Sequence, residues 1–481
     1  MRVLFVASEC VPLVKTGGLA DVVGALPKAL RALGVEPRVL LPGYPQVMKR
    51  VGADGTVWSS ENVFGHRVSV ACAAVDGLDV LVLDGPGYFA RDGGLYVGDD
   101  GKDWPDNPFR FAALSWAAAE IARDGLGDGW RPDLVHAHDW QTGLVPLYLD
   151  DWGVRDVATV LTIHNMAFQG VFDPALRAGL RLPESGFTQH GYEFYGRINF
   201  LKAGLIHADT VTTVSPTYAR ELESPAFGWG LEGVLAARPE RIVGILNGID
   251  LGLWDPAEDP AIPSFDARHL ARRKPARQAL QGEFRLDGRR SGPLLGVVSR
   301  LTDQKGLDLL LGVLPEILRA DGSVVVLGTG DPQIEQAFEA AGRDHAGSVG
   351  VRIGYDEDLA HRIYGGSDAI LVPSRFEPCG LTQMYAMRYG ALPVVARTGG
   401  LADTIIDANA AALSAGVATG FQFEAGSRES LSTAVAKLLR CYADPALWRR
   451  MQRNAMKHPV GWDGPAAEYV ALYERILAAR G

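Results

Sequence analysis

Lys15-Thr16-Gly17-Gly18-Leu19-Ala20-Asp21 and Arg397-Thr398-Gly399-Gly400-Leu401-Ala402-Asp403 carry the same hexamer, TGGLAD, near opposite ends of the chain. Each copy follows a cation and opens an apolar-periodic stretch. The spacing is far beyond the roughly 20–50 residues of a solenoid repeat. It predicts two similar domains, each presenting a Gly-Gly turn at a helix N-terminus. Unpaired N–H groups and the helix dipole attract anions there. Two such ends facing one another would make a cleft for a phosphorylated ligand.

The sequence between the copies supports that reading. Strand patterns fall at Arg2–Ala7, Pro37–Leu41, Val80–Leu83, Leu134–His136, Ala158–Ile163, Thr210–Val214 and Ile242–Leu246. A second series runs through Leu294–Val298, Ser323–Leu327, Val349–Ile353, Ala369–Val372 and Leu392–Ala396. Helical patterns lie between them, such as Leu19–Leu33 with its apolar positions on one face. Alternation of this kind predicts α/β domains with parallel sheets covered on both sides. Asn247–Pro263 is turn-rich and aperiodic, the best linker candidate. It divides the chain into 1–248 and 249–462. The last helix, Pro465–Ala479, either closes the second domain or carries 463–481 back to the first. The 50–110 region is Gly- and Asp-rich, and Trp104–Pro108 reads as a long loop.

The 481 residues carry a formal charge of −10, with 47% hydrophobic and 22% charged residues. That balance fits a globular enzyme and disfavours nucleic acid or an anionic membrane as partner. An anion site must therefore be built locally. Val3–Ala7 is too short for a secretory signal and no stretch is long enough to span a membrane. Cys10, Cys72, Cys379 and Cys441 lack the spacing of a zinc site, and they fit a reducing, cytoplasmic compartment.

Polar residues gather at predicted strand ends, where open α/β sheets bind ligands. Arg300 and Lys305 follow one strand, a planar fork and a point charge suited to two phosphates. The alternative is a surface ion pair with Asp303 or Asp308. Ser374–Thr382 follows another strand, and Pro378 and Gly380 mark a tight turn into a helix. Glu377 there can accept sugar hydroxyls or simply cap the helix. In the first half, His136-Ala137-His138-Asp139 and Thr162-Ile163-His164-Asn165 follow consecutive strands and suggest one wall of a site. His136 and His138 share a face, but no third metal ligand has convincing spacing. Asp356-Glu357-Asp358 has a DxD form yet reads as an acidic helix start. Gly328-Thr329-Gly330-Asp331 is an incomplete dinucleotide fingerprint that a turn explains.

These motifs together resemble the ADP-glucose-dependent glycogen and starch synthases over nearly the whole length. The carriers are KTGGLADVVGALPKAL (Lys15–Leu30), HAHDWQTGL (His136–Leu144), TIHNMAFQG (Thr162–Gly170), YEFYGRINFLKAG (Tyr192–Gly204), TTVSPTYA (Thr212–Ala219), NGID (Asn247–Asp250), SRLTDQKGLD (Ser299–Asp308), RFEPCGLTQ (Arg375–Gln383) and RTGGLADT (Arg397–Thr404). The resemblance implies a GT-B architecture, two Rossmann-like doubly wound parallel-sheet domains facing a deep cleft. The implied reaction moves glucose from ADP-glucose to the non-reducing end of glycogen or a maltooligosaccharide, with retention and without metal or cofactor. Arg300 and Lys305 would neutralise the pyrophosphate with Lys15 and the N–H groups near Gly18 and Thr382. Glu377, His164 and Asn247 would hold the donor sugar, beside the Cys379-Gly380-Leu381 turn. Tyr355 matches the position that stacks on adenine. Asp139, Glu9 and Tyr96 would lie on the sugar and acceptor side, and Asp21 would complete the substrate-binding set. A second Glu eight residues after Glu377, common in the wider retaining group, is absent here as in this family; Tyr385 stands in its place, and core packing suits it. Another GT-B donor, an inactive glucan-binding protein and a nicotinamide dehydrogenase are the competing readings.

Overall fold

The computed structural model describes residues 1–52 and 55–480. The chain forms two compact units, Met1–Gly248 with Trp462–Gly481, and Ile249–Gly461.

The first unit is built on a nine-stranded sheet. Its parallel part runs, in spatial order, Val243–Gly244, Thr210–Thr213, Ala158–Ile163, Leu134–His138, Arg2–Val6, Glu36–Pro42 and Leu78–Asp84. The apolar runs are almost wholly buried, as a sheet covered on both faces demands. Sequence order reverses between Arg2–Val6 and Leu134–His138, which makes their carboxyl ends the topological switch point. Beyond Leu78–Asp84 the sheet continues antiparallel through His66–Val75 and Thr56–Val63. Much of the Gly- and Asp-rich 50–110 region is thus sheet. The mixed polar and apolar sequence of an edge hairpin hid it, because one of its faces stays wet. The expected loop at Trp104–Pro108 ends early, since helix Asn107–Asp124 starts inside it with Pro108 in its first turn. A small sheet of Val171–Phe172, Arg197–Asn199 and Glu193–Phe194 is attached.

The final helix, Asp463–Ala478, belongs to the first unit. Its Tyr473 hydroxyl bonds His136 Nδ1 at 2.7 Å, and Arg480 Nη1 donates to the carbonyls of Arg155 and Val157 at 2.8 and 2.6 Å.

The second unit holds a six-stranded all-parallel sheet: Val349–Ile353, Ser323–Gly328, Leu294–Val298, Ala369–Val372, Leu392–Ala396 and Phe421–Phe423. Its switch point lies between Leu294–Val298 and Ala369–Val372. The segment after Asn247 is not a free linker. Trp254 is sandwiched between His361 and Tyr385, with ring centroids at 4.0 and 3.8 Å. Buried Asp259 accepts from His361 Nδ1 at 2.7 Å and from the Tyr389 hydroxyl. Turn-rich composition concealed these anchors, and Tyr385 finds its place in the packed stack.

Candidate active site

In the second unit, the residues after the two switch-point strands meet. Lys305 lies in the short turn Asp303–Lys305 and Glu377 in the turn before helix Thr382–Arg388. Lys305 Nζ stands 2.5 Å from Glu377 Oε2, and the Ser374 hydroxyl donates to the same oxygen at 2.8 Å. Among the described residues no hydrogen bond is recorded to Glu377 Oε1, so one carboxylate oxygen is fixed and the other is free to accept. Glu377 is buried.

Asp303 and Asp308, the acids nearest Lys305 in sequence, are engaged by another cation. Arg375 makes a bidentate pair with Asp308 at 2.8 and 2.9 Å and reaches Asp303 at 3.5 Å. Arg300 is exposed, and no described residue forms an ion pair with it. The turn carrying Glu377 is braced from below. Gln304 Nε2 donates to the Phe376 carbonyl at 3.2 Å, and Gln383 Nε2 to the Gly380 carbonyl at 2.8 Å. Gly380 has φ +73°, and a Cβ there would stand 2.6 Å from Gln383 Oε1. Cys379 is buried, while Leu381 precedes the helix that Thr382 opens.

The second TGGLAD copy forms the other brace. Gly399 has φ +44°, and a Cβ on it would collide with the Glu377 carbonyl oxygen. A Cβ on Gly400 would collide with the Cys379 backbone. The Gly400 amide donates to the Pro378 carbonyl at 3.1 Å. Glycine is required here because one backbone lies directly on another.

Tyr355 is 74% exposed, an unusual state for a large ring, and its hydroxyl reaches Glu357 at 3.2 Å. The neighbouring Asp356 caps helix Glu357–Gly366, accepting from the Leu359 amide at 2.8 Å. Asp331 likewise caps Pro332–Asp344 after Gly328–Gly330.

The first unit gathers Glu9, Asp139 and His164 around its own switch point. Glu9 is buried and spans the loop: Oε2 accepts from the amides of Thr16 and, at 3.2 Å, Gly17, while Oε1 accepts from the Thr16 hydroxyl at 2.6 Å and from Tyr96. The anion at this Gly-Gly turn is therefore a side chain of the protein itself. Lys15 Nζ pairs with Asp21 at 2.8 Å, and Gly18 is exposed at the start of helix Gly18–Ala32.

Asp139 sits at φ +56°, and its Oδ1 accepts from the His164 amide at 2.7 Å. Burial pushes its carboxyl up to about 7 against the pull of the His164 and Asn165 amides, with nearby Glu9 adding to the rise. Burial also lowers His164 to about 3, so its imidazole is neutral across ordinary pH. His138 Nδ1 bonds His164 Nε2 at 2.9 Å, and His136 bonds Thr162 at 2.5 Å. Both ring nitrogens of His136 are thus paired, while His138 Nε2 is buried with no hydrogen-bond partner among the described residues. Asn247 is buried, and its Oδ1 has no hydrogen-bond partner among the described residues. Ser374 and Gln304 are supports that residue chemistry alone did not single out, and Gly399–Gly400, read as an anion-binding turn, acts as a backbone brace. The only advance signal was a Gly-Gly pair after a strand.

Two doubly wound units of this kind place the chain among the GT-B glycosyltransferases. Residues 2–237 match the family described as starch synthase catalytic domain, and 285–458 that of glycosyl transferases group 1. The chain is 55% identical to the glycogen synthase of Roseobacter denitrificans, covering 99% of this chain and 100% of the relative. It is 52% identical to glycogen synthase 1 of Rhizobium meliloti, covering 99% and 100% respectively. The catalytic domain of starch synthase IV from Arabidopsis thaliana, solved with ADP and acarbose, superposes with a TM-score of 0.90 at 33% identity, over 99% of both chains. The chain belongs to the glycogen synthase family, and it is a glucosyltransferase acting between a nucleotide-sugar donor and a glucan acceptor. No described helix is long and apolar enough to cross a membrane.

Proposed function

We propose that this chain transfers glucose from ADP-glucose to the non-reducing end of glycogen or a maltooligosaccharide, with retention of configuration. The observation that carries the reading is the Lys305–Glu377–Ser374 cluster, a fixed carboxylate with one oxygen free beside a half-buried ammonium. Glu377 Oε1 is suited to a glucose hydroxyl, and Lys305 and exposed Arg300 to the two phosphates of the departing ADP. Lys15 and the amides near Gly18 in the first unit, and those near Thr382 in the second, are likewise suited to phosphate, and Tyr355 offers its exposed ring to adenine. His164 and Asn247 of the first unit are suited to sugar hydroxyls, as is the Cys379–Leu381 turn of the second. Asp139, Glu9, Asp21 and Tyr96 serve the sugar and acceptor side.

We assign 249–462 to the nucleotide-sugar domain and 1–248, with the closing helix, to the acceptor-side domain. As the glycosidic bond to phosphate breaks, negative charge grows on the phosphate and positive charge on the sugar. Fixed cations at the first and oxygen dipoles at the second favour the transition state over the ground state. Attack comes from the face that the phosphate leaves, and a phosphate oxygen takes the proton of the acceptor hydroxyl. No cofactor or metal is assigned a step. The four cysteines are free thiols, which supports a cytoplasmic location. Assaying ADP-glucose against UDP-glucose with glycogen as acceptor tests the donor: ADP-glucose should give the larger kcat/KM, and a strong preference for UDP-glucose would overturn it.

A further inference from the structure

Three large rings of the first unit stand in solvent: Tyr195 at 84% exposure, Phe168 at 55% and Trp229 at 50%. They come from separate segments that are tied to one another. Gln169, next to Phe168, donates from Nε2 to the Trp229 carbonyl at 3.1 Å. Its Oε1 accepts from Asn199 Nδ2 at 2.7 Å, which anchors the same loop to the small sheet bearing Tyr195. Gly230, next to Trp229, lies under that sheet's hairpin: a Cβ on it would sit 3.1 Å from the Phe194 ring and 3.7 Å from the Tyr195 ring. Phe194 and Tyr195 meet edge to face at 4.7 Å.

The backbone at two of these rings favours other residues. Phe194 pairs with Arg197, so Tyr195-Gly196 is a two-residue hairpin turn, with φ of +49° and +77°. Those signs are those of a type I′ turn, where Asn-Gly is preferred. Trp229 ends helix Pro225–Gly228 at φ +52°, a left-handed cap position where glycine is preferred. Bulky residues are rare at positive φ, and neither ring is buried in return. Local turn preference therefore does not account for the aromatic side chain at Tyr195.

We propose that Tyr195, Phe168 and Trp229 form an aromatic platform that binds an α-glucan chain. The pyranose ring presents C–H faces to flat π surfaces and neutral hydroxyls to polar neighbours, here Glu193 and exposed Arg197. The platform is continuous with the loop carrying His164: the Phe168 amide donates to the Asn165 carbonyl at 3.2 Å, and the Ala167 amide to Asn165 Oδ1 at 3.1 Å. Separate rings interleaved with charged side chains suit a sugar better than a protein surface, which needs a contiguous apolar patch. The inference rests on the glucan-acceptor reading and extends it to residues outside the Glu377 cluster.

The test uses the full chain with Tyr195→Asn, Phe168→Ala and the double variant. Maltoheptaose binding is measured by calorimetry without donor, and kinetics with ADP-glucose. Because asparagine suits the turn, Tyr195→Asn should leave Tm unchanged or raise it. The double variant should weaken maltoheptaose binding and raise its KM about fivefold or more, with the KM for ADP-glucose within about twofold. Maltoheptaose binding within about twofold of the parent would overturn the proposal. So would loss of an oligomer in sedimentation with glucan binding unchanged, since the rings would then belong to a subunit contact. If ADP-glucose supports no transfer while the variants still lose maltoheptaose binding, the donor reading fails and the platform stands.

Discussion

The two TGGLAD copies are identical in sequence and differ in what their glycines do. At the first, Gly17 is extended at φ −155°, a Cβ on it would meet nothing within 4 Å, and the turn amides hold the protein's own Glu9. At the second, Gly399 and Gly400 lie against the Glu377–Cys379 backbone so closely that a Cβ on either would collide with it. One copy is an open loop with a charged rim, Lys15 and Asp21. The other is a packing element beneath the Glu377 carboxylate. A shared motif therefore reports a shared strand–turn–helix geometry, and the role of each copy follows from what the neighbouring strands bring to it.

The largest expected effect belongs to the carboxylate that the second copy supports. Glu377→Ala should lower kcat about 10²–10³-fold, in the range for loss of one preorganised polar group. A loss of only about threefold, worth ~0.65 kcal/mol of barrier, would remove Glu377 from the mechanism. Lys305→Ala should fall in the same range, because Lys305 both orients Glu377 and carries charge.

A smaller contrast separates the cations that precede the hexamers. Lys15→Gln should raise the KM for ADP-glucose about tenfold, the size of one charge-assisted hydrogen bond, and Arg397→Gln about twofold or less. Equal or reversed effects in matched assays would erase the functional asymmetry of the copies.

The mildest effect concerns pH in the first unit. Asp139 is raised to about 7 by burial, so the folded state holds a proton that the unfolded chain releases near pH 4. Its contribution to stability is present at low pH and is lost as pH rises through about 7. Relative to Asp139→Asn, the parent should therefore gain Tm as pH falls from 7 towards 4. His164 is lowered to about 3, so no limb near its ordinary value should appear in the kcat profile. A limb near pH 6.5 that vanishes in His164→Gln would contradict the buried neutral imidazole.

Much of this arrangement was legible in the chain. Buried parallel strands are continuous apolar runs, and Ala158–Ile163, Leu294–Val298 and Leu392–Ala396 carry that signal in their composition. Residues placed at strand ends, such as Lys305 and Glu377, are brought together because the sheet order reverses there. What composition did not reveal are features set by distant partners. The hairpin Thr56–Val75 is half wet, so its pattern is mixed. Trp254 and Asp259 look like linker residues until His361, Tyr385 and Tyr389 close around them. Nor does the sequence distinguish Gly17 from Gly399, since the difference lies in which backbone passes nearby.

That last distinction is the most direct test of the account. Gly17→Ala and Gly399→Ala place the same methyl group at the same position of the same hexamer. In parallel measurements of Tm and kcat, Gly17→Ala should stay within about 0.5 kcal/mol and twofold of the parent. Gly399→Ala should lower kcat at least about 10²-fold by displacing the Glu377 turn. Equal tolerance at both sites would contradict the claim that the second copy shapes the active carboxylate.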